Sequence, residues 1–325
     1  MLMGVVESVM PRDVHNVALR DEEANRVRSS RRVTCLPTLT IGDGPRAIWA
    51  ALRKSGAVLL KDAATTPAAF EAVTDQFAAS FRIHQDPTRQ RYSDDDTTQG
   101  VTGGTEAIGL HAERAYLPGR PELLFFGCLT PPVSGGATTL CDGAAVVEAL
   151  PPEEAQRLAV MTLLWRTSMQ LRMWQRLWNT DDPGAAAALL NETIDRYGER
   201  AQTQHWFEAD TLHIDYRTPG LNAGWISGLK AFANYLLLAE LEPDGPRATQ
   251  IDGRRVPKNL LDRLAETADA LTIDIPWQRG DVAIIDNTRC MHGRRAFAGG
   301  ARQILVRMGD AGQQLRATSQ SMAKQ

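Results

Sequence analysis

The chain has 325 residues, of which 43% are hydrophobic and 23% charged, a composition typical of a globular protein with a large core. Its formal net charge of −3 provides no basic field, so we expect no nucleic-acid partner. No apolar run approaches the roughly 20 residues that cross a bilayer, and the N-terminus does not follow the signal-peptide pattern. Four cysteines without a CxxC pair indicate free thiols. The sequence therefore predicts a cytoplasmic protein without a membrane partner.

The predicted elements begin after residues 1–35, which we expect to be loosely structured. Prolines in first turns and apolar residues at helical spacing predict two helices with a short strand between them. These elements are the helix 43–56, the strand 57–61 and the helix 66–81.

Short apolar segments further along the chain predict strands on both sides of a tryptophan-rich region. These strands are 122–129, 134–140, 281–287 and 302–310. The region between them, 165–275, reads as a helical insertion or lid, and it includes an amphipathic helix at 258–271. We expect a mixed α and β fold, with a double-stranded β-helix (jelly roll) core, in which 1–325 is a single catalytic domain.

The segment LHAERAY (110–116) contains a histidine and a glutamate two positions apart, His111 and Glu113. Residues i and i+2 of a β-strand project from the same face, so this spacing predicts that the imidazole and the carboxylate point the same way. A third candidate ligand, His292, follows the predicted strand 281–287. Two histidines and one carboxylate on one face leave coordination positions open, which is typical of non-haem Fe(II) oxygenases.

A 2-oxoglutarate co-substrate would need a cationic partner for its distal carboxylate. Arg302, at the start of the last predicted strand, is the candidate, because a guanidinium meets a carboxylate with two parallel hydrogen bonds. Thr138, in SGGATTL, is a candidate hydroxyl donor. Arg307 lies five positions after Arg302, on the opposite face of a regular strand unless a bulge intervenes, and is predicted to contact a substrate carboxylate. In the alternative register, Gln303 and Arg307 point inward together and the clamp is not Arg302.

These segments resemble the TauD/TfdA family of Fe(II)/2-oxoglutarate-dependent dioxygenases, in particular its clavaminate-synthase-like and SyrP-like branch. The similarity lies in the HxE, GGxT and DNxxxxHGRxxF patterns, and it is dense over 101–150 and 274–310. The resemblance implies that Fe(II) is bound by three residues and 2-oxoglutarate by two. The expected iron ligands are His111, Glu113 and His292, and the expected 2-oxoglutarate residues are Thr138 and Arg302.

The resemblance also implies the reaction. Oxidative decarboxylation of 2-oxoglutarate by O2 gives succinate and CO2, coupled to oxidation of an unactivated C–H bond. Because a carboxylate, Glu113, is present where related halogenases have a small residue, hydroxylation is favoured. Relatives act on amino acids, free or tethered to carrier proteins, and on natural-product intermediates. Asp215 and Arg217 of the insertion are predicted to contact such a small-molecule substrate.

Three alternatives stay open at this point. The same scaffold supports desaturation or cyclisation. Two histidines and a glutamate also form a catalytic zinc site, although hydrolases of that type commonly place HExxH on a helix. The third alternative is a jelly-roll binding module without activity. The sequence gives no expectation for the oligomeric state.

Overall fold

The computed structural model describes residues 36–84, 86, 88–242 and 245–312. The segment 1–35, expected to be loosely structured, lies outside these residues. The described residues form a mixed α and β structure with several sheets, as predicted. No helix among them has the length and apolar character needed to cross a bilayer.

The secondary structure alternates short strands with helices along the described chain. The strands are β1 (Thr38–Leu39), β2 (Ala57–Leu60), β3 (Ser80–Arg82), β4 (Gln99–Gly100), β5 (Ile108–His111), β6 (Leu123–Thr130), β7 (Thr138–Asp142), β8 (Thr162–Met169), β9 (Thr203–Glu208), β10 (Thr211–Pro219), β11 (Asn222–Ala223), β12 (Lys230–Ala231), β13 (Arg247–Gln250), β14 (Ile273–Asp274), β15 (Val282–Asp286), β16 (Cys290–Arg294) and β17 (Gln303–Asp310). The helices are α1 (Gly44–Ser55), α2 (Pro67–Thr74), α3 (Gly143–Ala149), α4 (Pro152–Val160), α5 (Leu171–Trp178), α6 (Pro183–Arg196), α7 (Leu236–Ala239) and α8 (Lys258–Ala270).

Two sheets face each other across a shared hydrophobic core. The larger has seven strands in the order β1-β2-β15-β6-β17-β3, with β4 also pairing with β17. The smaller has the order β14-β7-β16-β5. Apolar side chains from both pack against one another, among them Leu124 and Phe126 of β6 and Leu140 of β7. The other face of the larger sheet is covered by α1 and α2, through residues such as Leu52 and Phe70.

The insertion predicted at 165–275 contains more sheet than expected. Strands β8, β9, β10 and β13 form a four-stranded antiparallel sheet in the order β13-β8-β10-β9. Every second residue of β10 is buried, which is the period of a half-buried strand. The prediction of a helical insertion is therefore wrong in this part, because TLHIDYRTP alternates buried and less buried residues with the period of a strand. Trp165 and Trp174 are buried in the core that this sheet shares with α8.

The helix predicted over 66–81 is shorter than expected. It begins with Thr66 as its cap and Pro67 in its first turn, as predicted, but it ends at Thr74. From Ala79 onward the backbone pairs with β17 instead, beginning with a hydrogen bond from the Ala79 amide to the Asp310 carbonyl. Pairing with the edge of the larger sheet thus replaces the last turns of the predicted helix.

Candidate metal centre

Two neighbouring strands of the smaller sheet carry the two candidate histidines. His111 is the last residue of β5, and His292 is the central residue of β16. The antiparallel register pairs His292 directly with His111. The two imidazole centroids are therefore 4.3 Å apart. Strand pairing thus brings together two residues that are far apart in the sequence.

Glu113 reaches the same place from a turn rather than from the strand. Strand β5 ends at His111, so the prediction that His111 and Glu113 share one strand face is wrong. The turn contains Arg114 with φ of 53° and is held by the side chain of Asn287. The Asn287 Oδ1 accepts from the Glu113 amide at 2.8 Å, and its Nδ2 donates to the Glu113 carbonyl at 3.0 Å. Asn287 is part of the DNxxxxHGRxxF pattern in the sequence, but only the structure shows that its side chain holds the Glu113 backbone.

The three side chains converge as metal ligands do. One donor atom from each of His111, Glu113 and His292 lies within 4.8 Å of the others, and all three residues are buried. The Glu113 Oε2 is 3.9 Å from the His111 Nε2 and 3.8 Å from the His292 Nε2. The His111 Nδ1 lies 2.9 Å from the Gly109 carbonyl oxygen, so it carries the proton and leaves Nε2 free to bind a metal. This donor set fits Fe(II) with open coordination positions.

Burial favours the protonation states that bind metal. It lowers the pKa of His292 to about 3, with a further contribution from the nearby His111, so His292 is neutral at physiological pH. Burial opposes ionisation of Glu113, but the hydrogen bond from His84 and the charge of Arg89 hold its pKa well below its usual range. A neutral imidazole and a carboxylate are the forms that coordinate a cation.

His84 is a neighbour of the centre that sequence reasoning missed. Its Nδ1 accepts a hydrogen bond from the Asp86 amide at 3.0 Å, so the ring proton resides on Nε2. That Nε2 lies 3.4 Å from the Glu113 Oε1, the oxygen that faces away from the two candidate histidines. His84 comes from an irregular segment after β3, and no motif in the sequence marks it.

The centre opens into a cavity of about 290 Å³ between the two facing sheets. Thr138 and Arg302, expected to bind 2-oxoglutarate, both line it. Other lining residues lay outside the sequence-based prediction, and they include His84, Asp86, Arg89, Tyr235 and Glu242. The cavity therefore combines charged groups with apolar walls such as Phe126 and Val306.

Arg302 and Thr138 are held next to each other. The Arg302 Nε donates to the Gly136 carbonyl at 2.8 Å, and its Nη2 lies 3.4 Å from the Thr138 hydroxyl oxygen. The Trp277 indole donates to the same hydroxyl oxygen at 3.0 Å, which leaves the Thr138 proton available for another acceptor. Burial and the nearby Arg294 lower the pKa of Arg302 to about 10, so it stays cationic at neutral pH. A guanidinium and a hydroxyl donor side by side fit a carboxylate.

Three residues predicted to contact the substrate lie elsewhere. Arg302, just before β17, and Val306 lie on the cavity side, and Arg307 lies on the other face, as regular alternation along the strand requires. The register shift opposite Gln303 and Ile304 skips a residue of β6 and leaves this alternation unchanged. The Arg307 guanidinium is 2.7 Å from an Asp75 carboxylate oxygen and lies over the Phe81 ring. Arg307 does not line the cavity, so its position gives no support to the expected substrate contact. Of the two alternative registers, the structure has the one in which Arg302 points inward.

The residues predicted from the insertion are also displaced. Asp215 and Arg217 lie on β10, which pairs only with β8 and β9 among the described strands. Asp215 is 3.4 Å from the Nε of Arg166, on the neighbouring strand, and neither Asp215 nor Arg217 lines the cavity. Their positions give no support to the expected substrate contacts. The part of the insertion that does reach the cavity is 235–242, through Tyr235, Leu238 and Glu242.

Comparisons with known proteins agree with the geometry. The family model described as "Taurine catabolism dioxygenase TauD, TfdA family" matches residues 37–308. A clavaminate synthase-like protein of Arabidopsis thaliana is 26% identical over 211 residues, 59% of this chain and 62% of that protein. The dapdiamide synthesis protein DdaC of Enterobacter agglomerans is 24% identical over 261 residues, 71% of this chain and 74% of that protein. The match thus spans less than two thirds of the Arabidopsis relative's own length.

Solved structures with the same fold include two oxygenases. A taurine dioxygenase from Burkholderia xenovorans superimposes with a TM-score of 0.55 at 16% identity, covering 83% of this chain and 81% of that one. The PvcB protein of Pseudomonas aeruginosa superimposes with a TM-score of 0.51 at 16% identity, covering 84% of this chain and 82% of that one.

Proposed function

Because this chain belongs to the TauD/TfdA family of dioxygenases, we propose that it hydroxylates an unactivated C–H bond of an amino-acid-like small molecule or natural-product intermediate. Its enzyme class, an Fe(II)/2-oxoglutarate-dependent dioxygenase, is that of the family. The observation that carries the proposal is the convergence of His111, Glu113 and His292 within 4.8 Å in a buried cavity that also contains Arg302 and Thr138.

Seven residues of the cavity have distinct tasks in this proposal. The two imidazole Nε2 atoms and the Glu113 Oε2 hold Fe(II). Arg302 and Thr138 would bind the distal carboxylate of 2-oxoglutarate and so leave its keto-acid end to face the metal. Phe126 and Val306 supply apolar walls that exclude water. When bound, Fe(II) and 2-oxoglutarate supply the oxidising chemistry, in which O2 and 2-oxoglutarate give succinate and CO2.

Glu113 supports hydroxylation among the reactions that this scaffold performs. A carboxylate that occupies the third ligand position leaves no place there for a halide. Desaturation and cyclisation are the alternatives on the same scaffold, and the mass of the product distinguishes them, because hydroxylation adds one oxygen atom. A zinc hydrolase gains no support from a cationic clamp, since hydrolysis needs no 2-oxoglutarate.

Domain organisation is part of the same proposal. The two facing sheets would be the jelly-roll core, 1–325 a single catalytic domain, and 165–275 an insertion whose segment 235–242 acts as a lid. Support comes from Tyr235, Leu238 and Glu242, which reach the cavity from that segment.

Anaerobic absorption spectroscopy tests the proposal. Fe(II) is titrated into the apo-protein, followed by 2-oxoglutarate, and chelation of the keto acid is expected to produce a weak visible charge-transfer band. His292→Ala should abolish the band. Arg302→Ala should raise the 2-oxoglutarate concentration required for it about 30-fold or more, since a buried charge pair loses one partner.

Arg295→Ala is the matched control, because Arg295 lies near His292 in the chain but pairs with Asp274 at 3.0 Å, is partly exposed and does not line the cavity. It should leave the titration unchanged. No band in the wild-type protein, or an undiminished band in His292→Ala, would overturn the proposed function.

A further inference from the structure

Arg89 brings a positive charge into the cavity without forming an ion pair with any described residue. It lies between β3 and β4, in an irregular segment, and lines the cavity beside His84 and Asp86. Its Nη2 donates to the Thr102 hydroxyl at 3.1 Å. Its Nε is buried and has no hydrogen-bond partner among the described residues. None of the described carboxylates lies within ion-pair distance of it. A guanidinium does not deprotonate at physiological pH, so this charge persists.

The other two arginines of the cavity are engaged. Arg294 donates to the backbone carbonyls of Thr102, Gly103 and Glu106, so its role is to hold that loop. Arg302 donates a hydrogen bond to the Gly136 carbonyl and lies beside Thr138. The proposed function assigns these two side chains to 2-oxoglutarate. Arg89 is therefore the cavity arginine that is left without a task in the proposed function.

Loading the site with Fe(II) and 2-oxoglutarate would not provide Arg89 with a counter-ion. The charges of Fe(II), Glu113, 2-oxoglutarate and Arg302 cancel, so no net negative charge is left for a further cation. The charge of Asp86 acts on Arg89, but the two side chains form no ion pair, and one Asp86 oxygen accepts from the Thr88 amide at 2.8 Å and from the Thr88 hydroxyl at 2.6 Å instead. Burying a guanidinium without a directly hydrogen-bonded counter-ion is costly, and an anion bound at the buried Nε would reduce that cost.

We propose that Arg89 binds the carboxylate of the substrate, and that the substrate is a free amino acid. This inference rests on the proposed function. A cationic group on the same molecule has a candidate partner in Glu242, which also lines the cavity. The Glu242 Oε2 accepts from the Tyr235 hydroxyl at 3.0 Å, and no cation among the described residues forms an ion pair with it. An amino acid tethered to a carrier as a thioester lacks the carboxylate that Arg89 would bind.

A comparison of amino acids with their primary amides tests this inference. The twenty proteinogenic L-amino acids and a set of ω-amino acids are each compared with the corresponding primary amide. The readouts are succinate release from 2-oxoglutarate and the change that each compound makes in the anaerobic Fe(II)–2-oxoglutarate band. We expect at least one acid to act on the wild-type protein, and its amide to act about 30-fold more weakly or not at all.

Arg89→Gln is the test variant and Arg91→Gln the control. Arg91 lies in the same segment with an exposed side chain and pairs with Asp96. Arg89→Gln should form the Fe(II)–2-oxoglutarate band as the wild-type protein does, but lose about 30-fold or more in kcat/KM for the acid. Arg91→Gln should retain both properties. Arg89→Lys, which keeps the charge but not the planar fork, should fall between them.

The outcomes separate this inference from the proposed function. Absence of the band in the wild-type protein overturns the proposed function. A normal band overturns the Arg89 inference alone if any of three results follows: the amide acts as well as the acid, Arg89→Gln keeps the wild-type kcat/KM, or no acid of the panel acts.

Discussion

At the scale of single residues, the centre depends on how one carboxylate is oriented. The side chain of Asn287 fixes the Glu113 backbone with hydrogen bonds of 2.8 Å and 3.0 Å, and a third bond at 2.8 Å ties it to the Pro121 carbonyl. His84 faces the Glu113 Oε1, so the Oε2 is directed to the two histidines. Partners of this kind set ligand geometry in metal sites. Glu113 is therefore positioned at both its backbone and its side chain.

Removing the donor at His84 should weaken metal binding. We expect His84→Leu to reduce Fe(II) affinity about 10- to 100-fold, because the Glu113 carboxylate loses the group that fixes its rotation. His84→Gln retains an N–H donor and should bind almost as the wild-type protein does. Titration with Fe(II) measures the affinity, and the absorption bands of the Co(II)-substituted protein report the ligand geometry. Wild-type affinity and bands in His84→Leu would show that His84 does not position Glu113.

At the scale of elements, one face of strand β17 lines the cavity and the other face packs against the helical layer. Arg302 and Val306 line the cavity, whereas Arg307 points to the opposite side, where α2 and the following turn lie. There its Nη1 donates to the Thr74 hydroxyl at 2.6 Å and to Asp75 at 2.7 Å. The guanidinium is buried while the Asp75 side chain is 58% exposed, so the pair links the sheet to the surface of the helical layer.

Because of this arrangement, we expect substitution of Arg307 to lower stability and substitution of Arg302 to weaken 2-oxoglutarate binding. Arg307→Ala should lower the free energy of unfolding by about 2 kcal/mol or more, because buried donors and acceptors lose their partners. It should leave the 2-oxoglutarate titration unchanged. Arg302→Ala should alter that titration and change stability less. Chemical denaturation and the anaerobic titration measure the two properties. A shifted titration in Arg307→Ala would contradict the assignment of this residue to the fold.

At the scale of the whole molecule, the cavity is built by three layers of structure. The larger sheet supplies Phe126 and Val306, the smaller sheet supplies the two candidate histidines and Thr138, and segment 235–242 of the insertion closes a further side. Arg247, just beyond that segment, donates to the carbonyls of Ala239 and Glu242. Ligands in the cavity would thus contact a segment that belongs to the insertion and not to the two sheets.

Ligand binding should therefore protect this segment from proteolysis. With Fe(II), 2-oxoglutarate and substrate each at about ten times its Kd, trypsin cleavage after Arg247 should slow about tenfold, since the opened state becomes less populated. Cleavage after Arg200, which has an exposed side chain and does not line the cavity, serves as the internal control and should not change. Mass spectrometry of the time course measures both sites. Equal cleavage after Arg247 with and without ligands would contradict the lid.

Much of the site was predictable from local sequence. His111, Glu113 and His292 were identified from spacing and from strand ends, and Thr138 and Arg302 from the glycine turn and the last strand. Local patterns indicate His111, Thr138 and Arg302 because each lies at or beside the end of a short strand, where a polar side chain is conspicuous. The same reasoning misplaced Arg307, Asp215 and Arg217, since a polar residue on a strand does not reveal which face meets the cavity.

The sequence by itself determined the family, the mixed α and β class and the residue types of the centre, because these depend on local patterns and ordered motifs. The tertiary structure decided which distant groups meet. The register of β16 against β5 placed His292 beside His111, and the path of the irregular segment after β3 brought His84 and Arg89 to the cavity. Such contacts join residues far apart in the chain, and their geometry is set by packing between sheets that no local pattern encodes.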